Sequence, residues 1–308
     1  MEDAPRRVED LPRVTVIIPV YNDVERLRLC LDAIAEQDYP ADRFDVVVVD
    51  NASTTDLRPA LPDDDRFVMV GETRRGSYAA RNAGLEVATG EVLAFTDADC
   101  RPWRDWLSTA VATLRGLDAP DAVGGQIRLV FRDGPEPVTG PELYESVHGF
   151  DQERFVTTFH FAATANLVAT ADAVRGVGGF DAALQSGGDD DFGHRLRAGG
   201  RRLVYAAGAV VDHPSRPTWS ELTTKSVRIA KGMADLTESG PPRDAARASV
   251  RELRAGTTVW LSIWTKPWPT TPRGKAGYAA AMSWVAAIRL ATWTPRLVRR
   301  ALRRGRPT

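Results

Sequence analysis

Between residue 14 and about residue 213, short apolar runs alternate with segments whose apolar positions recur every three or four residues. The runs "VTVIIPV" (14–20), "FDVVVVD" (44–50), "RFVMVG" (66–71), "EVLAFTD" (91–97) and "DAVGGQIRLVF" (121–131) are rich in β-branched residues and continuous rather than alternating. That is the pattern of strands covered on both faces. In "NDVERLRLCLDAIAEQ", Val24, Leu27, Leu31 and Ile34 fall on one helical stripe, and Asn22 with Glu25 three positions later reads as a capping box. "GSYAARNAGLEVATG" reads as an alanine-rich helix closing on Gly90 as a left-handed stop. Strands alternating with helices predict an α/β fold with a mainly parallel sheet flanked by helices. Ligands of such sheets gather beyond the carboxyl ends of the strands. This rule singles out the Pro19–Asn22 turn, Asp50–Ser53 and Asp97–Asp99, which should share one crevice.

The texture changes after residue 213. "SRPTWSELTTKSVRIAKGMADL" (215–236), the arginine-rich segment from 242 and the Trp/Ala/Arg-rich end read as a helical appendage, with "WTKPWPTTPRG" (264–274) as a proline-broken linker. The chain of 308 residues is therefore expected to divide into a catalytic domain at 1–215 and a C-terminal helical region at 216–308. Forty basic and forty-one acidic residues nearly cancel, so no general attraction to nucleic acid is expected. The two cysteines, Cys30 and Cys100, are too few for a disulfide framework and suit a reducing compartment. "MEDAPRRVED" lacks the apolar stretch of a secretory signal, and the longest apolar candidate, Ala276 to Ile288, stops at Arg289 short of a membrane span. The expected location is cytoplasmic. Beyond residue 286 there are seven arginines and no acid, which together with Trp284 and Trp293 suits peripheral contact with an anionic membrane. A helical hairpin packed on the catalytic domain, with a solvated basic end, is the alternative for this tail.

Candidate chemistry is concentrated in two acidic clusters. In "FTDADC" (95–100), Asp97 and Asp99 sit one residue apart where an apolar run ends, and period-two geometry would aim them the same way. At roughly 6 Å and an effective dielectric of about 20, their repulsion is on the order of 3 kcal/mol. A metal, a shared proton or water must offset it. A divalent cation with oxygen ligands holds two such carboxylates and usually adds substrate phosphates, which points to a metal–diphosphate site for Mn²⁺ or Mg²⁺. In "SGGDDDFGHRLRAGG" (186–200), Asp189 opens a helix, either as an N-cap alone or, facing the crevice, as a general base. His213 in "VVDHPSR" is a candidate third metal ligand or phosphate contact, with a packed side chain as the plainer reading, while His194 reads as structural. Arg75 and Arg81 of "TRRGSYAARN" are the candidate phosphate partners, since guanidinium forks match phosphate oxygens. Neither a P-loop nor a G-x-G-x-x-G accompanies them.

Four motifs in order, "VTVIIPVYN" (14–22), "VVVVDNASTTD" (46–56), "GSYAARNAG" through "TDADC" (76–100) and "VGGFDAALQSGGDDDFGHRLRAGG" (177–200), resemble the family 2 glycosyltransferases over about two thirds of the chain. The resemblance implies a GT-A fold and a nucleotide-sugar donor. It places Pro19, Tyr21, Asn22, Asp50 and Asn51 around the nucleobase and ribose, with Arg81 near the nucleotide. Asp97 would meet ribose or metal-bound water, and Asp99 would ligate Mn²⁺ or Mg²⁺. Asp189 falls at the catalytic aspartate, the base of a single displacement that inverts the anomeric carbon onto a hydroxyl-bearing sugar, lipid-linked or small-molecule acceptor. Many members carry Glu before that aspartate, whereas here the neighbour is Gly188, so Asp190 is the alternative register. The Q-x-x-R-W string of processive members is absent, which suits one sugar per turnover in polysaccharide, glycolipid or glycoconjugate synthesis. Residues 140–165 are expected on the acceptor side. Two other readings compete. A haloacid-dehalogenase-like phosphatase would need an amine between its acidic motifs, yet no lysine precedes Lys225. A non-catalytic nucleotide-sugar-binding protein would keep the fold without the chemistry.

Overall fold

The computed structural model describes residues 11–116, 118–238 and 242–304, with the side chains of 233–249 and 293–304 excepted. Strands β1 (Val14–Val20), β2 (Phe44–Asp50), β3 (Phe67–Gly71), β4 (Val92–Phe95), β5 (Arg101–Pro102), β6 (Ala122–Val130), β7 (Leu167–Thr170) and β8 (Leu203–Pro214) form one sheet in the order β3-β2-β1-β4-β7-β6-β8-β5. The helices are α1 (Val24–Ala35), α2 (Ser77–Val87), α3 (Trp106–Leu114), α4 (Gly140–His148), the single turn α5 (Gln152–Arg154), α6 (Ala171–Gly176), α7 (Gly188–Ala198), α8 (Trp219–Glu238), α9 (Pro242–Ser262) and α10 (Pro272–Arg304).

The chain folds as two compact units, one comprising Met1–Arg128, Phe150–Leu184 and Gly188–His213, the other Leu129–Gly149, Gln185–Gly187 and Pro214–Thr308. The expected division after residue 215 differs from this mainly at 129–149, which joins the C-terminal helices. The region 140–165 is accordingly split at residue 149.

In the first unit the continuous apolar runs are explained by a two-sided core. Val14, Val16, Ile18 and Val20 of β1 point to one face, under α1 and α3, while Ile17 points to the other with Val47, Val49, Phe95, Phe180 and Phe192. β1, β2, β3 and β4 run parallel, as the alternation of elements requires, and β3, at the sheet edge, is the most exposed of the four. β7 pairs antiparallel with both β4 and β6, so the sheet is mixed. Four residues, "LVAT", are too short to carry a periodic signal.

Two expected end signals are corrected. Asp23, not Asn22, caps α1, its carboxylate accepting from the Arg26 amide at 3.2 Å. Asn22 is held at φ 54°, where its side chain accepts from the Thr54 and Thr55 amides at 2.8 and 3.2 Å. Helix α2 ends at Ala88 in extended geometry rather than on a left-handed Gly90. Gly90 is required for close approach instead: its amide donates to Thr15 Oγ1 at 2.9 Å, and a Cβ there would lie 2.5 Å from the Thr15 amide nitrogen.

The second unit is helical, as expected after residue 216. Thr139 and Glu142 form a capping box that starts α4, and the buried Glu145 carboxylate takes bonds from Lys225 Nζ at 2.6 Å and Arg216 Nη1 at 3.0 Å. Tyr144, Leu222, Ala281 and Val285 form one small core, Val259, Ile263 and Ala279 another. Gly140 crosses Gly277 so closely that a Cβ would lie 2.7 Å from the Gly277 carbonyl oxygen. Among the described residues no helix is long and apolar enough to cross a membrane. Trp293 and the arginines from 296 onward, on which the expected membrane tail rests, lie outside the described side chains.

Candidate active site

Strand β4 stops at Phe95 because the chain turns: the Cys100 amide closes back on the Asp97 carbonyl at 3.0 Å. Asp97 and Asp99 therefore converge through a turn and not through the pleat. Immediately after it, β5 pairs antiparallel with β8 in the register Arg101↔Asp212. One step back along that register lies His213, opposite Cys100. The pairing is fixed from the other side by Asp212, which accepts from Arg128 Nε and Nη2 at 2.7 Å each and from Trp103 Nε1 at 3.2 Å.

The result is a cluster. Asp97, Asp99, Cys100 and His213 each present a ligand atom, all within 4.8 Å of one another. His213 is buried beside Phe150, its Nε2 3.8 Å from Asp99 Oδ1. Cys100 was not foreseen as a member, although its place beside Asp99 is the signal that could have found it. Burial, then the charges of Asp99 and Asp97, push its thiol well above the ordinary range.

The electrostatic question raised by the two carboxylates has a partial answer in the protein itself. Arg81, on the buried face of α2, is 2% exposed and its Nη2 donates to Asp97 Oδ1. Its Nε is buried with no hydrogen-bond partner among the described residues.

Asp189 reaches the same charges from α7. The residue is half-buried, but its carboxyl is withdrawn from water and accepts from Thr164 Oγ1 at 3.0 Å. Burial raises its pKa, and Asp97 raises it further, while the Arg81 charge and the Thr164 bonds pull it down. Thr164 has no sequence signal of its own. It is set by its neighbours: the Gln152 amide donates to the Ala163 and Asn166 carbonyls at 3.3 and 2.9 Å and accepts from the Ala163 amide at 3.0 Å. Thr96 Oγ1 donates to the Ala165 carbonyl at 3.0 Å, and buried Asn166 joins Gln126, Ala209 and Trp106.

The three aspartates of α7 face three ways. Asp190 points out, 44% exposed and 3.6 Å from His194, and Asp191 pairs with Arg195, which ties the helix to the Val177 and Gly179 carbonyls at 2.6 and 2.8 Å. Gly188 explains the departure from the usual glutamate. A Cβ there would meet the Tyr78 ring at 2.6 Å, so the start of α7 lies on that ring with no side chain between.

Around the β1 and β2 ends, the remaining candidates are largely committed to holding loops. Asn51, 7% exposed, donates to the Glu72 and Arg74 carbonyls at 3.3 and 2.7 Å and accepts from the Gly76 amide at 2.7 Å, shaping the entry to α2. Asp50 Oδ1 accepts from the Ser53 amide at 2.9 Å, and the Asn22 amide donates to Ser53 Oγ at 2.9 Å. Pro19, within β1, pairs in register with Val49. Tyr21 stays 47% exposed, with the Arg75 guanidinium 5.0 Å from its ring.

The donor set, two carboxylates and an imidazole with a thiol beside them, fits a hard or borderline cation such as Mn²⁺ or Mg²⁺. The Arg81 guanidinium, bonded to Asp97 through Nη2, adds a positive charge to the cluster.

Comparison with known proteins agrees with this geometry. Residues 15–165 match the model for "Glycosyl transferase family 2". Glycosyltransferase AglE of Haloferax volcanii is 32% identical over 300 residues, covering 94% of this chain and 95% of that one. The pre-mycofactocin glycosyltransferase of Mycobacterium tuberculosis is 30% identical over 242 residues, covering 75% of this chain and 49% of the relative, so the match spans about half of that protein. Among solved structures, the mannosyltransferase PcManGT of Pyrobaculum calidifontis, in complex with GDP-Man and Mn²⁺, superposes with a TM-score of 0.58 at 25% identity, covering 99% of this chain and 79% of that one. S. aureus TarS, at 17% identity and a TM-score of 0.51, shares the fold over 91% of this chain and 54% of its own. The sheet with its flanking helices is of the GT-A type, and the chain belongs to glycosyl transferase family 2.

Proposed function

We propose that the protein transfers a single sugar from a nucleoside-diphosphate donor to an acceptor hydroxyl with inversion at the anomeric carbon, Asp189 serving as general base. The observation that carries this is the Asp189 carboxyl, withdrawn from water with its pKa raised, bonded to Thr164 and sharing the field of Arg81 and Asp97. A base of this kind must hold a proton more readily than an ordinary carboxylate does. The acceptor oxygen forms its bond to the anomeric carbon as the bond to the diphosphate oxygen breaks, and the hydroxyl proton passes to Asp189. One displacement needs no second nucleophilic carboxylate.

Asp99, Asp97 and His213 would hold Mn²⁺ or Mg²⁺, which when bound supplies charge neutralisation for the departing diphosphate. Arg81 adds a fixed positive charge at that point, already oriented by Asp97 and Tyr78. Tyr21 offers a face for the nucleobase, and the Asn22, Asp50 and Asn51 loops set the walls of its pocket. The solved mannosyltransferase complex with GDP-Man and Mn²⁺ makes GDP-mannose the first donor to test. A phosphatase of the haloacid-dehalogenase type is not favoured, since family 2 membership accounts for the β1 and β2 motifs that it leaves unexplained.

The test is release of nucleoside diphosphate from GDP-mannose and from uridine- and thymidine-diphosphate sugars, with Mn²⁺ and with chelator. Metal-stimulated release with one nucleotide class supports the transferase. Tight nucleotide-sugar binding with no turnover on any acceptor pool would instead support a binding protein.

A further inference from the structure

We propose that α9 docks the protein on an anionic membrane surface through a stripe of exposed apolar side chains. Helix α9 already spends one face inside the second unit. Glu252, Val259 and Ile263 are buried, Gly256 lies against Ala286, and Glu252 accepts from Arg289 at 3.0 Å. A different face carries Val250 at 66% exposure, Leu253 at 55% and Leu261 at 81%, and the turn that ends the helix adds Trp264 at 52%. With 100° per residue these four fall within an arc of about 80°, with the exposed Thr257 among them. Trp260, 43% exposed, flanks it and is braced by a bond from Nε1 to Ser283 Oγ at 2.9 Å.

Charge identifies the occupant. Arg254 flanks the stripe, Arg251, Lys266 and Arg273 are exposed elsewhere on α9 and the segment that follows it, and Glu252, buried and paired, is the last acidic residue of the chain. Eleven basic residues follow it in a protein whose net charge is −1, so the cations are gathered at this end. Tryptophan and leucine edged by arginine and lysine, with no exposed acid among the described side chains of α9, match the boundary between anionic headgroups and acyl chains. A second copy of the chain fits poorly, because a two-fold contact would set the same cations against each other. The proposal is independent of the glycosyl-transfer reading, and it places the contact on α9 instead of the arginine-rich end of α10.

The test is partitioning of the full-length protein onto vesicles of phosphatidylcholine alone or with about 30% phosphatidylglycerol, followed by co-sedimentation and tryptophan quenching by brominated lipid. Binding should be at least about tenfold stronger to the anionic vesicles, weaken with salt and quench tryptophan. Leu261→Asp with Trp264→Ser should reduce the partition coefficient at least about tenfold while the melting temperature stays within about 2 °C, since both side chains are exposed. The milder Leu261→Ser alone gives the same readout if the double variant melts early. Undiminished binding by the variants, no binding by the parent protein, or a self-association that the variants abolish without any vesicle binding would each overturn the proposal.

Discussion

Replacing Gly188 with alanine isolates the positioning of Asp189 from its chemistry. The added Cβ would sit 2.6, 2.7 and 2.8 Å from three atoms of the Tyr78 ring, where ordinary contact begins at 3.4 Å, so about 0.8 Å must be found. Tyr78 cannot easily yield it. The ring is 5% exposed, stacks on Phe180 at 6.0 Å between centroids and has the Arg81 guanidinium 5.7 Å away. Further along α7 the helix is fixed, with Gly193 against Phe161, Phe192 on Phe180 at 4.5 Å, and Arg195 on two carbonyls. Its N-terminus must therefore tilt, and a displacement of that size stretches the 3.0 Å Thr164–Asp189 bond beyond useful length. Overpacking of this kind costs about 1–3 kcal/mol of stability. Misplacing a catalytic group by about 1 Å costs on the order of a hundredfold in rate. Steady-state nucleotide release should show kcat for Gly188→Ala down by roughly that factor, with the donor KM changed less than about threefold. Gly188→Ala with Tyr78→Leu should recover at least about tenfold of the loss, a coupling of about 1.4 kcal/mol in a double-mutant cycle. An unchanged kcat in the single variant, or no recovery in the double, would refute the placement of Asp189 by glycine-on-tyrosine packing.

Other expectations rest on single side chains. Asp189→Asn should lower turnover at least about a hundredfold, yet raise the melting temperature at neutral pH. The sign follows from burial: a carboxyl whose folded pKa is raised contributes stability that is fully present below the ordinary carboxylate range and lost as pH rises through the folded value, so the advantage of asparagine should shrink toward pH 4 in thermal melts. Arg81→Met removes a buried cation from Asp97, whose side chain is 33% exposed. Breaking a buried pair costs about 3–5 kcal/mol, and the partial exposure of Asp97 lowers the expectation to about 2–3 kcal/mol by denaturant titration, with nucleotide affinity reduced more than tenfold by calorimetry. Glu145→Gln, in the second unit, leaves Arg216 and Lys225 facing each other without their carboxylate and should cost about 3 kcal/mol. Burial and Arg216 already hold Lys225 down at about 8, and loss of Glu145 should drive it lower still, measurable as faster amine labelling if the unit remains folded.

Much of the first unit was legible because its signals are local. Five β-branched runs became strands, and the Leu27, Leu31, Ile34 stripe became the inner face of α1. Asp97 and Asp99 could be read as a strand-end feature, and Asp189 as a helix start, for the same reason. What could not be read depends on pairing between distant segments. His213 approaches Asp99 because β5 and β8 run antiparallel in one register, and nothing near "VVDHPSR" encodes a two-residue partner at 101–102. Thr164 meets Asp189 because Gln152, Thr96 and Asn166 fix the intervening turn. End signals failed where tertiary bonds outbid local ones: Asn22 faces Thr54 and Thr55 instead of capping α1, and Gly90 is small for the sake of Thr15. Family resemblance left the register of the α7 aspartates open, and the outward, His194-paired setting of Asp190 sets it apart from Asp189.

Titration of Mn²⁺ with electron paramagnetic resonance, in the presence of a nucleoside diphosphate, addresses the crevice without relying on turnover. The parent protein should deplete the free-ion signal at least about tenfold more tightly than Asp99→Asn, and only when nucleotide and metal are supplied together. Equal uptake by the two proteins would mean that the carboxylate pair beyond β4 does not grip a metal–diphosphate, and the proposed chemistry would lose its anchor.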